Sequence, residues 1–92
     1  MARDPQAVSR QLCGFLRAEI LAAGIAFDDA TPLSQLGVDS LSIVELLLFI
    51  ERRFGVGVPE SRLTHANLQS VSALARCVCD VASGGAPEAE SP

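Results

Sequence analysis

The chain has no lysine, no tryptophan and no tyrosine, and only one histidine and three cysteines among its 92 residues. Each shortage excludes something. Without lysine, all seven basic residues are arginine, and the formal net charge is −4. A mildly acidic chain with no basic stripe lacks the electrostatic footprint of nucleic-acid binding. No nucleic-acid partner is expected, and a charged partner would be basic. An odd number of cysteines argues against a disulfide framework and for a reducing compartment. The expected location is therefore the cytoplasm. Long apolar runs are missing too. The longest spans Leu46 to Ile50, far short of the roughly 18 residues that cross a membrane. The opening MARDPQAVSR has no apolar core behind its charges, so it is not a secretory signal. No membrane partner is expected.

What remains is 49% hydrophobic but only 4% aromatic. That suits one small, marginally stable domain of helices packed through Leu, Val, Ile and Ala. No segment alternates over enough residues to read as a strand, and no internal repeat is present. The expected fold is all-α: a small four-helix bundle with three main helices and a short one. A folded unit over 1–83 precedes GGAPEAESP, 84–92, whose small polar composition predicts disorder. Glu88 and Glu90 of that tail carry half of the net charge of −4.

Asp4-Pro5 reads as a helix cap followed by proline at the first helical position. Val8, Leu12, Phe15, Leu16 and Ile20 then recur at helical spacing, predicting a helix over 5–23 that stops at Gly24. The stretch 24–38 is too long to lie structureless in a small domain. Ile25, Phe27, Leu33, Leu36 and Val38 are expected to pin it to the core, with one short turn from Thr31-Pro32 to Gly37. Asp39 caps a second helix over 40–54. Pro59 opens a short turn to Leu63. Ser70 caps a last helix over 71–82, with Val71, Leu74, Ala75, Val78 and Val81 on one face.

On a helical wheel of about 100° per residue, Ile43, Leu46, Leu47, Ile50 and Phe54 form one apolar stripe of the second helix. Leu41, Val44 and Leu48 form another, flanked by Glu45 and Arg52. A bundle this small can cover the first stripe with its other helices. Two arrangements are open for the second: the 24–38 loop folds over it, or it stays exposed as a partner surface.

Ser40 stands at the start of this helix. Taken alone, such a serine most often only caps. A helix start also stabilises anions through its free N–H groups and dipole, so a serine there can carry a phosphodiester, with the Asp39 carboxylate opposing it. A Ser40–His65–Asp hydrolase triad can be drawn on paper, but no G-x-S-x-G elbow and no sheet support it. His65 reads as a surface loop residue or one packed near whatever Ser40 carries. Cys77 and Cys79 diverge by roughly 160° on a helix, and with Cys13 and His65 they match no zinc spacing. No metal site is expected. Cys79 reads as half-buried, Cys77 as exposed, and Asp28-Asp29 as a solvated turn or an acidic rim near the partner face.

GVDSL followed by an amphipathic helix resembles the acyl carrier proteins, small helical bundles whose serine receives 4'-phosphopantetheine from coenzyme A. The resemblance runs over about 8–82. It takes in Asp39-Ser40-Leu41, Glu45, Phe54, the VPE of 58–60 and Ser70-Val71. It implies no catalysis by the chain itself. It implies attachment at Ser40 beside Asp39, with acyl groups held as thioesters on the arm. Leu41, Val44, Glu45, Leu48 and Glu51 would dock partners, and Ile43 and Leu47 would line an acyl cleft. The implied partners are a phosphopantetheinyl transferase, an acyl- or aminoacyl-loading ligase, and synthase or transferase enzymes, met by a monomer.

Carriers of fatty-acid synthesis usually have a strongly acidic second helix. Here Ser42 stands where an acid is common, and Arg52 and Arg53 stand near the helix end. This pattern points to a dedicated carrier in a specialised, polyketide-type pathway. The alternatives are an aminoacyl or peptidyl carrier of a nonribosomal-peptide-type pathway, and an unmodified carrier-like interaction module.

Overall fold

In the computed structural model the described residues are 4–21 and 24–83. The expected disordered tail at 84–92 lies outside them. Helix α1, Pro5–Phe15, starts where the sequence places it. The Asp4 carboxylate accepts the Gln6 N–H at 3.1 Å, and Pro5 occupies the first turn, where a missing N–H leaves no bond unmade. Beyond Phe15 the expected α-helix does not continue. Leu16–Ile20 forms a π-helix, closed by the Leu21 N–H on the Leu16 carbonyl at 2.7 Å, and Leu21 is already extended. The wider i→i+5 ladder ends the helix at Ile20, three residues short of the expected position 23.

The segment after Gly24 is held mainly by its backbone. Asp28 and Thr31 close a turn on each other's side chains and main chain. The Leu33 N–H then reaches the Gln69 carbonyl at 2.8 Å, and the Ser72 N–H reaches the Asp29 carbonyl at 2.8 Å. Pro32 and Ser70 form an isolated antiparallel bridge. Of the five expected pins, Leu33 is buried, and Phe27, Leu36 and Val38 pack partly against the core. Ile25 does not; it is exposed, because the anchoring bonds begin only at Asp28. The short turn is a 3-10 helix, Leu33–Leu36, ended by Gly37 at φ 73°, a left-handed conformation that glycine adopts without a Cβ penalty.

Helix α2, Ser40–Phe54, and helix α3, Val71–Ala82, have the expected bounds. A 3-10 turn, Glu60–Arg62, lies between them. The core is built from one stripe of each helix: Val8, Leu12 and Leu16; Leu46, Ile50 and Phe54; Val71, Leu74 and Val78. Helix α1 packs most closely on α3, and Phe15 stacks on Phe49 at 4.4 Å between ring centres to join α1 to α2. Cys77 is buried rather than exposed. The 60–62 turn folds over that side of α3, and the Cys77 thiol faces the Arg62 carbonyl at 3.9 Å. Arg62 also pairs with Asp80 of α3. Among the described residues no helix is long and apolar enough to cross a membrane.

Candidate functional site

The start of α2 divides the roles of Asp39 and Ser40 as the sequence predicts. Asp39, not Ser40, is the cap: its Oδ1 accepts the Ser42 N–H at 2.9 Å, and its carbonyl accepts the first intrahelical bond, from Ile43, at 2.9 Å. Ser40 is exposed, and among the described residues its hydroxyl has no hydrogen-bond partner. Ser70 shows what a capping serine looks like in this fold, with its Oγ accepting the Ala73 N–H at 3.2 Å. Ser40 therefore presents an unengaged hydroxyl at a helix start, where the dipole favours an anion.

The Asp39 carboxyl is held below the usual aspartate range, first by the Ser42 N–H and then by the Ser42 hydroxyl. A carboxyl lowered on folding adds stability above its unfolded value of about 3.9, and that stability is lost as pH falls through the lower folded value. Asp39→Asn keeps an acceptor oxygen but removes the charge. Its stability deficit against wild type in urea unfolding is expected to be constant from pH 5 to 8 and to shrink below about pH 4. A deficit unchanged at pH 3 would show that the charge contributes nothing to the cap.

An open depression lies beside Ser40, between the 32–40 segment and the turn before α3. Apolar Val38, Ile43 and Leu68 and polar Ser40, His65 and Gln69 line it, with Asp39. Ile43 of the expected cleft is part of this lining. Leu47 is half-buried against the core and is not part of it. No signal in the sequence marks Leu68 or Gln69. They arrive by the Leu33–Gln69 backbone bond and the Pro32–Ser70 bridge, which no alternating pattern announces.

Leu41, Val44 and Leu48 are exposed by 67%, 50% and 50%. This decides between the two arrangements left open: the loop does not cover the second stripe. Glu45 and Glu51 are exposed with it. Arg52 shares a depression with Phe15, Glu19, Glu45 and Leu48, whereas Arg53 turns to α1 and donates to Gln11. The apolar strip thus has two acids and one base beside it, Glu45, Glu51 and Arg52. Asp28 and Asp29 line a different depression, against Arg10 and Arg17 of the first helical segment. Among the described residues no three His, Cys, Asp or Glu side chains gather as a metal site. Burial, above all, pushes the Cys13 and Cys77 thiols up, which makes both poor nucleophiles near neutral pH.

A bundle with a free hydroxyl at the start of its second helix, and an apolar strip running away from it, defines the architecture of a carrier. The family model described as "Phosphopantetheine attachment site" matches residues 10–78, and the chain belongs to this family of phosphopantetheine-binding carrier proteins. The family's prosthetic group is covalent 4'-phosphopantetheine, and the exposed, unengaged Ser40 fits its attachment.

The chain is 38% identical over 68 residues to Aminoacyl carrier protein 1 of Bradyrhizobium diazoefficiens, covering 71% of this chain and 70% of that protein. Two solved structures of the Bradyrhizobium japonicum glycine:[carrier protein] ligase also contain a similar fold. One is complexed with glycylated carrier protein; its matched chain has a TM-score of 0.62 and 31% identity, covering 80% of this chain and 97% of that one. The other is complexed with the cognate carrier protein and an analogue of glycyl adenylate. There the TM-score is 0.61 at 31% identity, covering 80% and 94%.

Proposed function

We propose that the chain is an aminoacyl carrier: Ser40 bears the 4'-phosphopantetheine arm, and an ATP-dependent ligase loads an amino acid onto it. The observation that carries this reading is the similarity, at 31% and 38% identity, to carriers whose names or complexes concern aminoacyl and glycyl groups. It favours the aminoacyl alternative over the polyketide-type cargo that the sequence first suggests. When bound, the arm supplies a thiol that holds the cargo as a reactive thioester.

The chain's own residues do the rest. Ser40 Oγ accepts the phosphopantetheinyl group from coenzyme A, giving up its proton to the transferase as adenosine 3',5'-bisphosphate leaves. Asp39 fixes the first turn of α2, so that Ser40 is presented outward. Leu41, Val44 and Leu48, with Glu45 and Glu51 beside them, dock the ligase. The mixed charge at this strip fits docking by apolar burial better than docking on a strongly basic patch. The core beneath is filled by Leu46, Ile50, Leu74 and Val78, each 0% exposed. A small polar cargo needs no apolar tunnel there. Nothing in this scheme asks the chain to catalyse: no hydrogen bond joins His65 to Ser40, and the Asp39 carboxylate is spent on Ser42.

The test is loading of the phosphopantetheinylated chain by the glycine:[carrier protein] ligase with ATP and glycine. The expected product is a glycyl mass increment that neutral hydroxylamine removes. An increment of equal size on the chain without its arm would contradict the reading.

A further inference from the structure

We infer that His65 is a contact residue for the phosphodiester on Ser40, holding the arm's phosphate at the mouth of the depression between the 32–40 segment and the 64–69 turn. This rests on Ser40 being the attachment point.

The turn that carries His65 is fixed on all sides. The Asn67 N–H donates to Thr64 Oγ1 at 3.1 Å, and the Leu68 N–H to the Thr64 carbonyl at 3.0 Å. Asn67 Nδ2 reaches the Arg62 carbonyl at 2.8 Å. The Leu33–Gln69 bond at 2.8 Å then ties this turn to the segment that leads into Ser40. His65 and Ser40 thus line one depression across a braced gap.

The turn is held, yet the ring is not. Among the described residues the His65 side chain is exposed and has no hydrogen-bond or ion-pair partner. It is also the chain's one histidine. The other ionisable residue lining the depression is Asp39, whose carboxylate is already engaged by Ser42. A phosphodiester added at Ser40 is a permanent anion that brings two strong acceptor oxygens into a space lined by three polar donors, Ser34, Gln69 and the His65 ring, of which the ring alone can add a positive charge. A neutral imidazole donates one N–H to such an oxygen, and an imidazolium adds a charge-assisted bond. Arm and cargo would then leave Ser40 along the side lined by Ile43 and Leu68.

The experiment uses the full chain, converted with coenzyme A, magnesium and a broad-specificity phosphopantetheinyl transferase, and its conversion checked by intact mass. The ³¹P resonance of the phosphodiester is followed from about pH 5 to 8, the range in which imidazoles change charge. The wild type is expected to show an inflection in that range, and His65→Gln a flat trace at an unchanged urea midpoint. The His65 ring signals at pH 7 are expected to move on attachment of the arm. Superimposable ³¹P traces for wild type and His65→Gln would overturn the inference and leave the carrier reading standing. Failure to gain the arm at all would sink the Ser40 reading, and this inference with it.

Discussion

Ser40→Ala is expected to gain no mass when incubated with coenzyme A, magnesium and a phosphopantetheinyl transferase, under conditions that convert the wild type fully. The effect is all or none because the reaction needs a hydroxyl that is both exposed and unengaged at the helix start. Ser42, two residues on, is no substitute. Its N–H and hydroxyl serve the Asp39 carboxylate. The variant should fold normally: Ser40 is exposed, Asp39 still caps, and alanine is the best helix former, so stability should stay within about 0.5 kcal/mol of wild type. Ser70→Ala gives the opposite pattern. It removes a real cap, at a cost of about 1 kcal/mol, and leaves attachment intact. Attachment surviving in Ser40→Ala would relocate the arm.

The second large effect concerns the apolar strip of α2. The double variant Leu41→Ala, Leu48→Ala is expected to lower kcat/KM for ligase loading more than tenfold. Interface anchors of this kind are worth about 1–2 kcal/mol each when truncated. Leu41 is 67% and Leu48 50% exposed, so thermal unfolding should barely change. Leu46→Ala, one turn face away in the core, should instead lose about 2–5 kcal/mol of stability. Wild-type loading kinetics in the double variant would mean that the ligase docks elsewhere. The sequence wheel already splits these residues into two stripes, but only the structure shows that the second stays exposed among the described residues.

Where local chemistry decided the outcome, the sequence was readable. Asp39 and Ser70 cap by their own side chains, Gly55 ends α2 in the left-handed conformation at φ 68°, and the bounds of α2 and α3 follow. Where the outcome depended on distant pairing, it was not. The π-helix at Leu16–Ile20 keeps a helix-like apolar spacing, so periodicity cannot distinguish it from a continuing α-helix. The depression beside Ser40 is assembled by the backbone pairing of Leu33 with Gln69, between segments with no strand pattern. The burial of Cys77 has a similar cause: a wheel shows the face of α3, not the 60–62 turn that folds over it. The serine was legible as a site only through the whole pattern of DSL, flanking helices and length, while the absence of a hydrogen-bond partner for its hydroxyl among the described residues needed the structure.

The cargo claim has one direct measurement. The phosphopantetheinylated chain is offered, in separate vessels, ATP with glycine and the glycine:[carrier protein] ligase, and malonyl-coenzyme A with a malonyltransferase. Intact mass is read after each. The account expects the glycyl increment in the first vessel and no malonyl increment in the second. A malonyl increment with no glycyl increment would contradict it and return the chain to the polyketide-type carriers.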